Sequence, residues 1–138
     1  MAGRPQRLIA GSDARTRAVG DKGELEFDVR LISYRSLPLS CVRDVTVTID
    51  GEPIAPDRVA LVVDGHRHRV ADLGERIDLW WFVLDQGQLV VSLDEPLSCG
   101  EHTIGSSMST SIPYATGGRS THTAHDEVAL RLRELPAT

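Results

Sequence analysis

The sequence predicts an all-β fold, an antiparallel β-sandwich of the jelly-roll type in a single domain. In Glu24–Leu31, apolar side chains occupy every odd position and charged side chains every even one, which is the period of a strand with one wet face. Asp50-Gly51 and Asp64-Gly65 each follow a run of apolar and β-branched residues, and such dipeptides favour tight hairpin turns. Short strands between turn signals, with almost no helical periodicity, indicate two packed antiparallel sheets.

The length of 138 residues fits one domain with one hydrophobic core. We expect the sandwich to occupy residues 24–138. Residues 1–23 carry four arginines among Gly, Pro and Asp, and we expect them to form a solvated lead-in with a possible first strand.

Two further elements follow from the turns. Val45–Ile49 is expected to be the strand that leads into the first turn. Val59–Val63 and His66–Val70 should pair across the second turn, with Val63 facing His66. This register places His66 and the next histidine, two residues on, on the aliphatic face of the hairpin.

The remaining strands are expected at Trp80–Leu84, Gln88–Leu93, Glu101–Ile112 and Glu127–Arg133. The first two should form a hairpin with each other, after a link over Ala71–Ile77 that could be helical. The Ser and Thr content of the third is compatible with a solvated strand. The segment that contains His122 and His125 is expected to be a mobile surface loop.

Composition excludes several classes of function. A net charge of −5 gives phosphate backbones no attractive field, so nucleic acid is not expected as a partner. No apolar run approaches the roughly 18 residues that cross a bilayer, and the N-terminus lacks the apolar core of a secretory signal. We therefore expect a cytoplasmic protein with no membrane partner, in which Cys41 and Cys99 are reduced.

A metal site is the sharpest enzymatic alternative. His66 and His68 point the same way from one strand, Asp72 follows, and His102 comes later in the chain. Cupins bind one metal through such an H-x-H pair, a carboxylate and a later histidine. The alternative is that both rings pack against aliphatic side chains at the edge of the core.

Two segments have a composition that is unusual for a surface exposed only to solvent. Ser33–Ser40 mixes aromatic, cationic and apolar residues directly after the strongest strand. Three consecutive aromatics in Trp80–Phe82 cannot all face one core, so at least one ring must point outward or into a second contact. Both segments are candidates for an interface. Exposed Trp80 or Trp81 could alternatively serve as the stacking platform of a carbohydrate-binding sandwich.

One family resembles this chain in several segments taken in order. They are Phe27–Leu31, Tyr34–Ser40, Val45–Gly51, Val63–Gly65, Gly100–His102 and Ile112–Tyr114. The chain resembles the small β subunit of bacterial C-glycoside deglycosidases from about Leu25 onward. It departs from that family at Ser36, where we expect Gly, and in the Ser/Thr- and Gly-rich region 106–125.

The resemblance implies a heteromeric lyase that cleaves the carbon–carbon bond between the sugar and the aromatic aglycone of a 3-oxo-C-glycoside. It places the acid/base residues and a divalent metal, commonly manganese, on a larger TIM-barrel α subunit. This chain would then hold no cofactor and no catalytic residue. The contact with partner or substrate is expected at Tyr34, Arg35, Leu37 and Pro38, with Trp80, Trp81 and Tyr114 as further candidates.

Overall fold

A computed structural model describes residues 8–31, 37–75, 79–81, 86–112 and 120–134. Almost all of them lie in strands. The strands are β1 (Asp13–Val19), β2 (Lys22–Arg30), β3 (Leu37–Pro38), β4 (Val42–Ile49), β5 (Glu52–Pro53), β6 (Val59–Val63), β7 (His66–Arg69), β8 (Trp80–Trp81), β9 (Gln86–Leu93), β10 (Gly100–Ile112) and β11 (Ser120–Glu134). Short 3₁₀ turns span Leu39–Cys41, Pro56–Arg58 and Val70–Glu75.

The main structure is one nine-stranded sheet in the order β5-β4-β10-β11-β1-β2-β9-β6-β7. Neighbouring strands are antiparallel except β1 and β11, which run parallel, and β3 pairs with β8 in a separate two-stranded sheet. The sheet curls, because β4 near one edge contacts the Val70–Glu75 turn that follows β7 at the other edge. The all-β class is confirmed, whereas two packed sheets are not: the long strands share one continuous ladder.

The predicted alternation of β2 is confirmed by burial. Leu25, Phe27 and Val29 are completely buried, and the intervening acidic residues are half-buried on the opposite face. Burying an aromatic or branched side chain contributes about 1.5–3 kcal/mol. The inward face of β2 therefore anchors the core that the curled sheet encloses.

The second hairpin has the predicted register, with Val63 opposite His66 and Leu61 opposite His68. Its turn residues Asp64 and Gly65 have φ of 53° and 76°, the left-handed values of a tight hairpin turn. The following link is a 3₁₀ turn over Val70–Glu75, so the helical option for that segment is confirmed.

The interpretation of the N-terminal region as solvated is wrong for the described residues. Leu8–Ala10 are buried, and the possible first strand is present as β1, bonded to β2 and β11 inside the sheet. Small residues at Ala14 and Thr16 face the core, while Arg15 faces outward and pairs with Glu26 and Asp28 of β2. The arginine-rich composition suggested a solvated segment, but the segment contains a strand in which Arg15 forms ion pairs with acidic residues of the neighbouring strand.

The solvated-strand prediction for β10 is also wrong. Ser106, Ser109 and Thr110 are buried between β4 and β11. The hydroxyl of Ser106 donates to the carbonyl of Thr46 at 2.9 Å, and the Ser109 hydroxyl shares a 2.8 Å hydrogen bond with Thr123. These bonds offset the cost of burying polar groups.

Two other elements differ from expectation. The segment with His122 and His125 is part of β11 rather than a mobile loop. In the described residues β8 does not form a hairpin with β9, because β9 is hydrogen-bonded to β2 and β6 while β8 pairs with β3. The rest of the predicted strand, residues 82–84, lies outside the described residues. Both cysteines are free, as predicted. Within the described ranges, no helix has the length and apolar character needed to span a membrane.

Candidate functional site

Several segments converge at one end of the sheet. The register pairs Asp28 with Gln88 of β9, and Gln88 with Val62, so the end of β2, the start of β9 and the β6–β7 turn lie together. The β3–β8 pair stands at the same end, because Leu39 and Leu79, which flank it, line a pocket with residues of that turn. This end of the sheet is where the interface was expected.

A pocket of about 250 Å³ opens there, which we call the Trp80 pocket. The described residues that line it are Leu39, Val63, Asp64, His66, His68, Leu79 and Trp80. One side is formed by the β6–β7 hairpin, and the other by residues next to β3 and in β8. Of the described lining residues, the polar ones all belong to the hairpin, and those on the other side are apolar or aromatic.

Trp81 anchors the β3–β8 pair beside the pocket. This side chain is completely buried, and its ring approaches Gly87 so closely that a Cβ there would lie 3.1 Å from Cζ2 of Trp81. The backbone N–H of Leu39 donates to the carbonyl of Leu79 at 2.8 Å, which extends the pairing of β3 with β8. Trp81 therefore ties the β3–β8 pair to the main core.

Trp80 points the other way, as successive strand residues do. It is 44% exposed, whereas its neighbour Trp81 is 0% exposed. The expectation that the aromatic run cannot all face one core is confirmed by this contrast. Phe82 lies outside the described residues.

The charged and polar side chains of the β6–β7 hairpin differ in whether they have partners. Arg67 and Arg69, which alternate with the histidines of β7, pair with Glu24 at 3.5 Å and with Asp72 at 3.0 Å. In the described part of the chain, the side chains of Asp64 and His66 have no hydrogen-bond or ion-pair partner. Two polar side chains available to bind a ligand therefore lie on the hairpin side of the pocket.

The structure brings together four of the seven residues predicted for the interface. Leu37 pairs with Trp81 and Pro38 with Trp80 through the backbone. Tyr34, Arg35 and Tyr114 lie outside the described residues. Leu39 lies in the predicted interface segment Ser33–Ser40, whereas sequence reasoning missed Leu79, whose apolar character alone does not distinguish a pocket wall from core.

The alternative metal set is not brought together. Among the described residues, no three His, Cys, Asp or Glu side chains are grouped so that they could hold a metal ion. His66 and His68 both line the Trp80 pocket, but Asp72 bonds Arg69. His102 instead contacts the first hairpin turn, at the other end of β4 from the Leu39–Cys41 turn.

His102 is held by acceptors on both ring nitrogens. Its Nδ1 lies 2.7 Å from Oδ2 of Asp50, and its Nε2 lies 2.9 Å from the carbonyl oxygen of Ser98. The bond to Asp50 raises the pKa of His102, since the protonated ring can donate to both acceptors. The same bond, with the N–H of Thr103, lowers the pKa of Asp50. Sequence reasoning missed this pair because its members are far apart in the chain.

Comparisons with known proteins identify the family. A family model described as C-glycoside deglycosidase beta subunit matches residues 8–114, a range that includes every residue lining the Trp80 pocket. A 3'-dehydrocarminate deglycosidase beta subunit from Microbacterium sp. is 32% identical over 121 residues, which cover 86% of this chain and 91% of that protein.

Two more relatives carry the name C-glycoside deglycosidase beta subunit. The one from Microbacterium trichothecenolyticum is 32% identical over 110 residues, 80% of each chain. The one from Arthrobacter globiformis is 34% identical over 94 residues, 68% of each chain. The chain therefore belongs to the family of C-glycoside deglycosidase beta subunits.

Proposed function

We propose that this chain is the non-catalytic β subunit of a heteromeric cytoplasmic lyase that cleaves the sugar–aglycone carbon–carbon bond of 3-oxo-C-glycosides. The observation that carries the proposal is the family match over residues 8–114. The name of the Microbacterium sp. relative specifies a 3'-dehydro substrate, which supports an oxidised sugar as the reacting group.

In the proposed enzyme the catalytic groups and the supporting structure lie on two different chains. A ketone at position 3 acidifies the C–H at position 2, so a general base can remove that proton. The electron pair then forms the C1–C2 double bond as the bond from C1 to the aglycone breaks, and a general acid protonates the departing aglycone carbon. A TIM-barrel α subunit would carry the acid/base residues together with a divalent metal, commonly manganese, which would polarise the ketone. In this chain, His102 and Asp72 are engaged in bonds to its own residues, which supports a structural rather than catalytic role for them.

The α subunit is proposed to contact the end of the sheet where β3 and β8 lie. Leu37 and Pro38 pair with β8 there, and half-exposed Trp80 on the same well-anchored strand lies at the edge of this contact, where its indole lines the Trp80 pocket. We place Tyr34, Arg35 and Tyr114 at the same contact on the basis of the sequence. Covering part of the barrel mouth would exclude water from the elimination.

Co-purification tests the proposal. The full chain carrying an affinity tag is co-expressed with the TIM-barrel protein encoded by the adjacent gene, and the complex is analysed by size exclusion. We expect one species that contains both chains. Separate elution of the two proteins at micromolar concentration, in both tag orientations, would sink the subunit assignment.

A further inference from the structure

We propose that the Trp80 pocket is a binding site for a planar aromatic ring that carries a hydroxyl group. The inference is drawn from the pocket lining alone. That the ring is the aglycone of the C-glycoside is an additional step, which rests on the proposed function.

The apolar side of the pocket suits the face of a ring. Trp80 presents a half-exposed indole, and Leu39 and Leu79 stand beside it as aliphatic wall. Among the described residues, only Trp80 and Val19 are large hydrophobic side chains with substantial exposure. Aromatic rings stack favourably on an indole in offset or edge-to-face geometry. The exposed indole therefore gives a planar ligand a platform that the rest of the described surface does not offer.

The polar groups among the described lining residues lie on the opposite side of the pocket. Asp64 and His66 come from the β6–β7 turn, and neither side chain has a partner among the described residues. A ring hydroxyl can donate to the carboxylate or exchange a hydrogen bond with the imidazole. A pyranose carries hydroxyls around its whole perimeter, and those that face Leu39 and Leu79 would find no hydrogen-bond partner on these two side chains. The one-sided polarity favours an aromatic ring with a hydroxyl on one edge.

The size of the pocket sets what part of a ligand it can take. Its volume of about 250 Å³ is below the range of about 300–1,000 Å³ typical of sites that enclose a whole small molecule. One ring or two fused rings fit, and the rest of a larger molecule would extend out of the mouth. In the complex, that remainder would be the sugar, directed toward the partner subunit.

The test uses the full chain alone and 2-naphthol as the probe, followed by isothermal titration calorimetry and ligand-observed NMR. Cyclohexanol, which has a hydroxyl but no planar ring, and methyl β-D-glucoside are the comparison ligands. We expect saturable binding of 2-naphthol and at least tenfold weaker binding of the other two. Binding of the glucoside as tight as that of 2-naphthol would overturn the proposal in favour of a carbohydrate site, and no saturable binding of 2-naphthol would also overturn it.

Variants locate the binding. Trp80→Ala should weaken 2-naphthol binding at least tenfold, and His66→Ala should weaken it about threefold because one hydrogen bond is lost. Val19→Ala, at the β1–β2 turn on the other end of the sheet, is the matched control and should bind as the unaltered chain does. If Trp80→Ala fails to fold, Trp80→Phe and His66→Ala carry the test. Equal binding by the pocket variants and Val19→Ala would refute the site.

The partner protein is absent from this experiment, so its outcome is separate from the subunit assignment. Failure of co-purification would remove the proposed function and leave 2-naphthol binding unaffected. Failure of 2-naphthol binding would remove the pocket proposal and leave the heteromeric enzyme intact.

Discussion

The two Asp-Gly turns of this chain have the same backbone and opposite side-chain environments. Asp50 and Asp64 both adopt left-handed φ, 50° and 53°, and each is followed by a glycine with positive φ. Asp50 is bonded to His102 and to the N–H of Thr103, while Asp64 has no partner in the described part of the chain. The Asp50-Gly51 turn, which we call the locked turn, is hydrogen-bonded to β10. The Asp64-Gly65 turn, which we call the open turn, faces the Trp80 pocket. The Asp-Gly sequence therefore determines the backbone conformation of the turn. The residues packed around the turn determine whether the Asp carboxylate is hydrogen-bonded within the chain or is available to bind a ligand.

The largest expected effect separates two adjacent residues beside the open turn. Trp81→Ala removes a completely buried side chain and should lower the free energy of unfolding by about 3–5 kcal/mol. Trp80→Ala removes a half-exposed side chain and should cost less than about 1 kcal/mol. Urea denaturation of both variants measures the difference. Equal losses would show that β8 does not anchor the pocket as described.

A methyl group at Gly87 tests how tightly Trp81 is seated. A Cβ there lies 3.1 Å from both the Trp81 ring and the carbonyl oxygen of Val62, so Gly87→Ala should lower stability by about 1–2 kcal/mol. In a Trp81→Ala background the ring is gone, and the same methyl should cost less. An unchanged cost in the double variant would place the strain elsewhere.

At the locked turn, loss of the imidazole should cost less than loss of Trp81. His102→Ala removes bonds to Asp50 and Ser98, and we expect a decrease of about 1 kcal/mol in the free energy of unfolding near pH 5.5. His66→Ala, at the open turn, should cost less than about 0.5 kcal/mol at the same pH. A larger loss for His66→Ala would reverse the assignment of the two turns.

The pH dependence is a smaller and more specific effect at the locked turn. Because the bond to Asp50 raises the pKa of His102 above its usual 6.5, its stabilisation is complete below pH 6.5 and is lost as pH rises through the folded value. The stability difference between the unaltered chain and His102→Ala should therefore shrink between pH 6 and 8.

The carboxylate partner, Asp50, contributes a pH dependence of stability with the opposite sign. The pKa of Asp50 is lowered from 3.8, so its contribution is present above pH 3.8 and is lost as pH falls through the folded value. Asp50→Asn should flatten the dependence that His102 confers between pH 6 and 8. A difference that stays constant over that range with Asp50 present would contradict the ion-pair description.

Local patterns predicted the strands and turns well where one face is strongly apolar. The alternation in β2 and the register of the β6–β7 hairpin depend only on nearby residues and the twist of a two-residue turn. The same logic failed for β10, because a buried strand can present hydroxyls to an interior when neighbouring strands supply their hydrogen bonds. Composition does not carry that information.

Strand order and the candidate site depend on contacts between distant residues. Nothing local to Arg15 shows that its charge will be met by Asp28, or that β1 will lie parallel to β11. The aromatic run predicted an outward ring, and Trp80 is that ring. The pocket beside Trp80 is lined by Leu39 and Asp64 from separate elements, and only the folded chain shows that these elements lie together.

We propose that this chain works only as a subunit, and reconstitution of activity tests that role most directly. The chain alone, the co-purified α subunit alone and the two mixed at equal concentration are each incubated with Mn²⁺ and a 3-oxo-C-glycoside, and release of the aglycone is followed by chromatography. We expect no release by this chain, and release by the mixture well above that of the α subunit alone. Turnover by this chain alone, or an α subunit equally active without it, would contradict the account.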